Sequence, residues 1–172
     1  MTRLSRTPAA AATLAAATLV RAGCAATPAT VLRVPNAAPD SPTSRAVEVP
    51  AALGTVYISG QTPEPLDASA ALYSRAYWGD TQAQTQSVLR KVEASLKAAG
   101  LGLGDVVKMN VYLVGDPANE GRMDTAGFGK AYAEFFGSAA QPLRPARTTL
   151  QIAALGRPGM WVEIDVIAAR PR

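Results

Sequence analysis

The clearest pattern in the chain is an alternation of apolar and polar positions just after its midpoint. Odd positions from 107 to 113 hold Val, Met, Val and Leu, whereas the even positions between them hold Lys, Asn and Tyr. Because successive side chains of a strand point to opposite faces, residues 106–114 predict a half-buried strand. Residues 81–100 instead carry apolar side chains at three- and four-residue spacing. They predict an amphipathic helix that Asp80 caps and Gly100 ends.

The same patterns predict five further elements around this helix and strand. They are two short strands joined as a hairpin, a second amphipathic helix and two C-terminal strands, at residues 46–49, 55–59, 125–136, 146–153 and 160–168. The order β-β-α-β-α-β-β predicts an α+β sandwich, with two helices on one face of a single mixed sheet. The other face also needs cover, and self-association through the sheets is the simplest source.

The first 26 residues are typical of an export signal. Two arginines in the first six residues precede an apolar run at 8–20, which is too short to span a bilayer, and small residues follow. Cys24 follows Ala-Gly as in a lipoprotein site, although Arg21 stands where a leucine is expected. Lipidation of Cys24 and cleavage near Ala26 without a lipid are both open. We therefore expect an exported protein, periplasmic or lipid-anchored, with membrane contact only if Cys24 is lipidated.

Composition limits both the architecture and the chemistry. Residues 27–43 are rich in Ala, Pro, Ser and Thr and predict a flexible tether, and residues 44–172 suffice for one packed domain. One cysteine and no histidine exclude His/Cys zinc sites, Ser-His-Asp triads and structural disulfides. Removing residues 1–23 lowers the net charge from +4 to +1, because they hold three arginines and no acid. We expect no nucleic acid partner, no metal and no organic cofactor.

Two charged residues near the C-terminus are candidates for chemistry. Arg147 follows Pro145-Ala146 at the start of a strand-like run, and Glu163 lies in an otherwise apolar strand. A guanidinium binds a carboxylate through two parallel hydrogen bonds, and a carboxylate can orient and partly deprotonate water. On adjacent strands the two side chains can share one pocket, which suggests chemistry on a small carboxylated molecule. From spacing alone, a solvated or interface role is the commoner outcome for either residue.

Seven motifs lie in a characteristic order along the chain. They are Ser59-Gly-Gln61, Gln84-Thr-Gln-Ser-Val-Leu89, Leu96-Lys-Ala-Ala-Gly100, Asp105-Val-Val-Lys-Met-Asn-Val-Tyr-Leu113, Tyr132-Ala-Glu-Phe-Phe136, Pro145-Ala-Arg-Thr148 and Val162-Glu-Ile-Asp-Val-Ile-Ala168. In this order they resemble the Rid proteins, a family of reactive-intermediate deaminases that is also called the YjgF family and labelled endoribonuclease L-PSP. The resemblance covers residues 46–169.

The resemblance implies a chorismate-mutase-like fold and a homotrimer with a pocket in each cleft between subunits. It also implies hydrolysis of small 2-imino acids, or their enamine tautomers, to 2-keto acids and ammonia. By position, Arg147 would bind the substrate carboxylate and Glu163 would orient the attacking water. Ser59, Gly60 and Thr149 would line the pocket.

Two pocket positions depart from the family pattern. The tyrosine that usually precedes the first strand is Thr43, and the asparagine common in the second helix is Gly129. Both are kept as candidate substrate-binding positions, and both changes bear on rate and substrate range. The alternative is a non-catalytic trimer that binds a small carboxylated metabolite. RNA cleavage, which the family label suggests, is disfavoured because the chain has no histidine and no cluster of basic and aromatic residues.

Overall fold

The computed structural model describes residues 29–170, and the predicted export signal and Cys24 lie outside them. The helices and strands in chain order are β1 (Leu32–Pro35), β2 (Ser44–Glu48), β3 (Gly54–Gln61), α1 (Arg75–Trp78), α2 (Thr81–Ala98), β4 (Val106–Val114), α3 (Thr125–Phe135), β5 (Ala146–Ile152) and β6 (Val162–Arg170). Within this range, no helix combines the length and the apolar character that crossing a bilayer requires.

Four strands form the main sheet, in the order β3-β6-β4-β5. β6 pairs antiparallel with both β3 and β4, whereas β4 and β5 run parallel. The two long helices, α2 and α3, pack together and enclose the core against one face of this sheet. This arrangement confirms the predicted α+β fold, in which two helices cover one face of a mixed sheet. The face turned away from α2 and α3 is called the open face below.

The helix α2 follows its sequence signals closely. The carboxylate of Asp80 accepts a hydrogen bond from the backbone N–H of Ala83 at 2.9 Å, which caps the first turn. Gly100 follows the helix with φ of +72°, a conformation that favours glycine. The apolar stripe of α2 is fully buried against the sheet, and it consists of Val88, Leu89, Val92 and Leu96. Burial of this stripe places α2 over β6 and β3.

The N-terminal strands pair differently from the prediction. β2 pairs antiparallel with β1, and β3 pairs with β6, so the expected hairpin between β2 and β3 is wrong. β1 lies within residues 27–43, for which composition predicts a tether. Leu32 faces Glu48 in a defined register, so this part of the segment is a strand. Together β1 and β2 form a two-stranded sheet, called the N-terminal hairpin below.

The N-terminal hairpin is attached to the main domain by side-chain hydrogen bonds. The guanidinium of Arg33 donates to three backbone carbonyls, those of Arg144 at 2.9 Å, Gly104 at 2.8 Å and Val106 at 2.9 Å. The hydroxyl of Ser44 donates to the same Arg144 carbonyl at 2.6 Å. The segment that leads into β5 is therefore fixed from the hairpin side, just before Arg147.

Candidate functional site

Arg147 lies on the helix-covered face of β5, against α3. Its register partner on β4 is Met109, which is fully buried. The guanidinium carbon lies 4.4 Å from the ring centroid of Tyr132 and 4.9 Å from that of Phe128. These two rings are four residues apart on α3, so they share one face of the helix. A cation over an aromatic face is stabilised by about 0.5–2 kcal/mol, which fixes the guanidinium in place.

The surroundings of Arg147 are largely closed to water. Its Nη1 atom is buried and has no hydrogen-bond partner within residues 29–170. Burial lowers the pKa of Arg147, and the nearby phenol of Tyr132 opposes that shift. Burial raises the pKa of Tyr132 to about 12, against the charges of Arg147, Arg144 and Arg33. The phenol donates to the carbonyl of Pro42 at 3.0 Å, so Tyr132 is a neutral hydrogen-bond donor at physiological pH.

Glu163 lies on the open face of the sheet. Its register partner on β4 is Tyr112, whose side chain is on the face opposite the core. The pairing of β3 with β6 is irregular at Ser59-Gly60, between Ile58 and Gln61. A Cβ atom at position 60 would overlap the Glu163 carboxylate, so the glycine gives that carboxylate its room. Gly60 thus lies directly against Glu163, and the predicted role of Ser59 and Gly60 in lining a substrate pocket stays a prediction.

An open hollow of about 420 Å³ surrounds Glu163. Gly60, Tyr112 and Asp165 line it, together with Ile152 and residues 154–156. A hydrogen bond to Asp165 and the charge of that carboxylate raise the pKa of Tyr112, and the charge of Glu163 adds to the shift. Two carboxylates and a phenol thus converge on water-accessible space. Across residues 29–170, no three potential metal ligands are grouped closely enough to hold a metal ion.

The expectation that Arg147 and Glu163 lie on adjacent strands is wrong. β4 separates β5 from β6, so the two C-terminal strands are not neighbours. Arg147 faces α3 with Met109, whereas Glu163 faces outward with Tyr112. Apolar alternation could not reveal this separation, because it gives the face of each strand and not the order of strands in the sheet.

The other predicted positions lie on β5, on α3 and just before β2. Thr149 is two residues beyond Arg147 on the same face of β5 and is half-buried. Gly129 follows Phe128 on α3 but is exposed, with open space where a side chain would be. Thr43 precedes β2, and its hydroxyl accepts a hydrogen bond from the Asn36 amide at 3.1 Å. None of these placements tests a role in substrate binding, which stays a prediction.

Two aromatic residues of the Arg147 environment were not predicted as functional. Phe128 and Tyr132 are expected from the sequence only as part of the buried stripe of α3, and both are buried. Their four-residue spacing was visible in the sequence. Their stacking on Arg147 was not, because it depends on α3 lying beside the edge strand β5.

The fold and the motifs match a known family. The family model described as endoribonuclease L-PSP matches residues 35–170. The chain belongs to this family. The Rid assignment made from the seven motifs is therefore confirmed, since relatives and solved structures of the Rid and YjgF proteins also match.

Two relatives illustrate the range of the family. A RutC family protein of Pyrococcus horikoshii is 37% identical over 90 residues, which are 52% of this chain and 63% of that protein. The protein TdcF of Escherichia coli K12, provisionally named a reactive intermediate deaminase, is 34% identical over 91 residues, 53% of this chain and 64% of TdcF. The aligned part thus spans just under two thirds of each of these relatives.

Solved structures extend the match. The Rid protein YyfB of Yersinia pestis, described as of unknown function, superposes with a TM-score of 0.60 at 26% identity, covering 83% of this chain and 98% of YyfB. A crystal structure of E. coli TdcF with bound serine superposes with a TM-score of 0.52 at 30% identity, covering 67% of this chain and 80% of TdcF. Both share the helix-on-sheet fold.

Proposed function

We propose that this protein hydrolyses small 2-imino acids, or their enamine tautomers, to 2-keto acids and ammonia, as a homotrimer with sites between subunits. Family membership and the provisional deaminase name of TdcF support the reaction class. The serine bound in the TdcF structure supports a small carboxylated ligand. The proposed roles of Arg147 and Glu163 in the reaction rest on the geometry of their side chains.

The observation that carries the proposal is the guanidinium of Arg147, which stacks on Tyr132 but has no acidic partner among the described residues. Within residues 29–170 no acidic side chain forms an ion pair with it, and its Nη1 atom is buried without a hydrogen bond. A buried cation without a counter-charge is costly unless a ligand supplies one. A carboxylate matches this need, because it can accept two parallel hydrogen bonds from the planar guanidinium.

Glu163 provides the proton chemistry in this proposal. Its carboxylate takes a proton from water as the oxygen attacks the iminium carbon, which gives a carbinolamine. Glu163 then passes this proton to the amino group. As the C–N bond breaks and the carbonyl forms, Glu163 takes the hydroxyl proton and transfers it to the departing ammonia. Iminium plus water thus becomes ketone plus ammonium, with atoms and charge balanced, and the carbon keeps its oxidation state, so no step requires an oxidant or reductant.

The opposite orientations of Arg147 and Glu163 lead to a site built from two chains. One protomer supplies the guanidinium at the β5 edge, and its neighbour supplies the carboxylate on its open face. Closed cyclic assemblies generate such heterologous contacts once per subunit. A trimer with three equivalent clefts fits this requirement and the resemblance to the Rid proteins.

The test is the release of 2-keto acid from an imine produced in situ, measured above the spontaneous rate. Arg147→Ala is expected to lower the enzymatic rate roughly 30-fold or more, since loss of one partner of a buried charge pair costs about 2–5 kcal/mol. Arg147→Lys keeps the charge but not the two-pronged geometry, and it is expected to recover only part of the rate. Arg45→Ala is the matched control, because Arg45 is exposed on β2.

Unchanged turnover in folded Arg147→Ala would refute the proposed role. The alternative function is a non-catalytic trimer that binds small carboxylates. It is favoured by Thr43, whose hydroxyl is already bonded to Asn36 and does not replace the phenol usual at that position. Saturable binding of a 2-keto acid that depends on Arg147, without turnover of any imine tested, would support this alternative.

A further inference from the structure

A second arginine with an unpaired donor lies three residues before Arg147. Within residues 29–170, the Nε atom of Arg144 is buried and has no hydrogen-bond partner. The guanidinium packs against Gly137, where a Cβ atom would lie only 2.5 Å from Nε. Gly137 follows α3 with φ of +74°, so the backbone bends away and leaves this space. Two arginines that each have one buried nitrogen without a hydrogen bond thus occupy one short stretch of chain.

The positive charge in this region is not balanced. Arg33, Arg144 and Arg147 all lie close enough to the phenol of Tyr132 to lower its pKa against the effect of burial. Asp105 acts on Arg33, whose N–H groups are also occupied by backbone carbonyls. No described acidic residue forms an ion pair with Arg144 or Arg147. Arg144 and Arg147 are therefore the two cations of this region with capacity for a bound anion.

Arg144 also lines a hollow between the N-terminal hairpin and the segment that enters β5. The hollow has a volume of about 180 Å³. This is several times the roughly 30 Å³ that one water molecule occupies in the liquid, so a carboxylate group fits. Its polar lining also includes Asn36, Ser41 and Thr43. The amide of Asn36 donates to the Ser41 hydroxyl at 2.9 Å, which fixes this wall.

The hollow and the Arg147 environment meet at Tyr132. The carbonyl that accepts the phenol hydrogen bond belongs to Pro42, between two residues that line the hollow. The ring of the same tyrosine lies under the guanidinium of Arg147. A ligand held by Arg147 near this ring can therefore direct its far end toward Arg144.

We propose that Arg144 and the polar wall of this hollow bind a second anionic group, so that the site prefers 2-imino acids with a carboxylate in the side chain. This inference rests on the proposed function for the identity of the reaction. Arg147 would hold the carboxylate next to the imine carbon, and Arg144 would hold the distal one. Each guanidinium then gains a counter-charge.

The test compares two imines of nearly equal shape, one derived from glutamate and one from glutamine, which differ in side-chain charge. The wild-type protein is expected to have a kcat/KM at least tenfold higher for the glutamate imine. Arg144→Gln is expected to lower kcat/KM about tenfold for the glutamate imine and less than twofold for the glutamine imine. Arg45→Gln, on the exposed surface of β2, is expected to change neither value.

Equal losses for both imines in Arg144→Gln, or no loss for either, would overturn the proposal. Equal losses of kcat/KM for both imines, together with a lower melting temperature, would mean that Arg144 stabilises the C-terminal end of α3. Calorimetry keeps this test separate from the proposed reaction, because 2-oxoglutarate and 2-oxovalerate bind without turnover. The wild type is expected to bind 2-oxoglutarate at least tenfold more tightly, and Arg144→Gln to remove that preference. Equal affinities in the wild type would refute the second anion position.

Discussion

Arg147 and Glu163 lie on opposite faces of the same four-stranded sheet. Arg147 is level with the buried Met109 and rests on the rings of α3, whereas Glu163 is level with Tyr112 on the open face. A sheet is too thick and too tightly packed for one small molecule to contact both side chains of a single chain. The proposed reaction uses both side chains, and the proposal therefore takes them from different protomers.

The first prediction concerns mixed assemblies of two inactive variants. Arg147→Ala and Glu163→Gln are each expected to lose most of the activity, but subunits mixed at equal amounts are expected to regain part of it. In a closed ring, roughly a quarter of the sites then combine an intact Arg147 with an intact Glu163 from the neighbour. Keto-acid release after co-refolding measures this recovery. Mixed assemblies of verified composition that stay inactive would contradict a site shared between chains.

The second prediction is that Gly60→Ala impairs activity strongly while the fold is retained. The new methyl group would overlap the carboxylate of Glu163, which must then move away. Because a displacement of about 1 Å at a reacting group can cost roughly a hundredfold in rate, we expect kcat to fall about tenfold to a hundredfold. The flexible carboxylate can yield without displacing backbone, so the melting temperature is expected to change little.

Gly102→Ala is the control for this substitution. A Cβ atom at position 102 meets nothing within 4 Å, and the backbone there does not have a positive φ. Its kcat is expected to equal that of the wild type. If Gly60→Ala retained full kcat, the reaction would not depend on the position of the Glu163 carboxylate in this structure.

The third prediction is a pH-dependent contribution of Tyr132 to stability. The folded state raises the pKa of this phenol from 10.0 to about 12, so its contribution is complete below pH 10 and is lost as the pH rises toward 12. Tyr132→Phe cannot ionise and is expected to show no such loss. At pH 9 the variant is less stable by about 0.5–1.5 kcal/mol, because the hydrogen bond to Pro42 is missing.

Urea unfolding of both proteins at pH 9 and pH 11.5 measures this difference. The free energy gap between them is expected to narrow or reverse at the higher pH, by at most about 2–3 kcal/mol for a shift of two pKa units. A gap that stays constant would mean that Tyr132 ionises as easily in the folded protein as in the unfolded chain.

The fourth prediction concerns two glycines of α3 that respond oppositely to alanine. Gly129 is exposed within the helix and has open space where a methyl group would lie, so Gly129→Ala is expected to stabilise the protein by about 0.5–1 kcal/mol. Gly127→Ala is expected to destabilise it, since the methyl group would collide with the Asp124 carboxylate that caps the helix. Thermal unfolding should show Gly129→Ala higher by about 2–4 °C.

Much of the fold could be predicted because apolar residues recur at regular spacing in its main strands and helices. β4 alternates as expected, with Met109, Val111 and Leu113 buried. The second amphipathic helix begins at Thr125, the predicted residue, although it ends one residue before the predicted boundary. The N-terminal strands could not be predicted, because a proline-rich composition obscures β1. Pairing partners follow from tertiary contacts that residue spacing does not encode.

The site was predicted only in part, for a reason visible in β5. Its residues on the helix-covered face include Arg147 and Thr149, while Leu150 on the other face is 51% exposed. Hydrophobicity alone would have predicted the opposite orientation, with Leu150 facing the helices and Arg147 facing outward. In β6 the apolar residues do face the helices, so alternation correctly places Glu163 outward. Family motifs identified both residues, but only the folded chain shows that their side chains lie on opposite faces of the sheet.

The attachment of the N-terminal hairpin has a practical consequence for truncated versions of the protein. The family match begins at residue 35, so trimming to that boundary would remove Arg33 and its three bonds to backbone carbonyls. One of those carbonyls belongs to Arg144, at the entrance of the strand that carries Arg147. A shortened version could thus fold normally yet hold its ligand poorly, and studies of activity should retain β1 with Arg33.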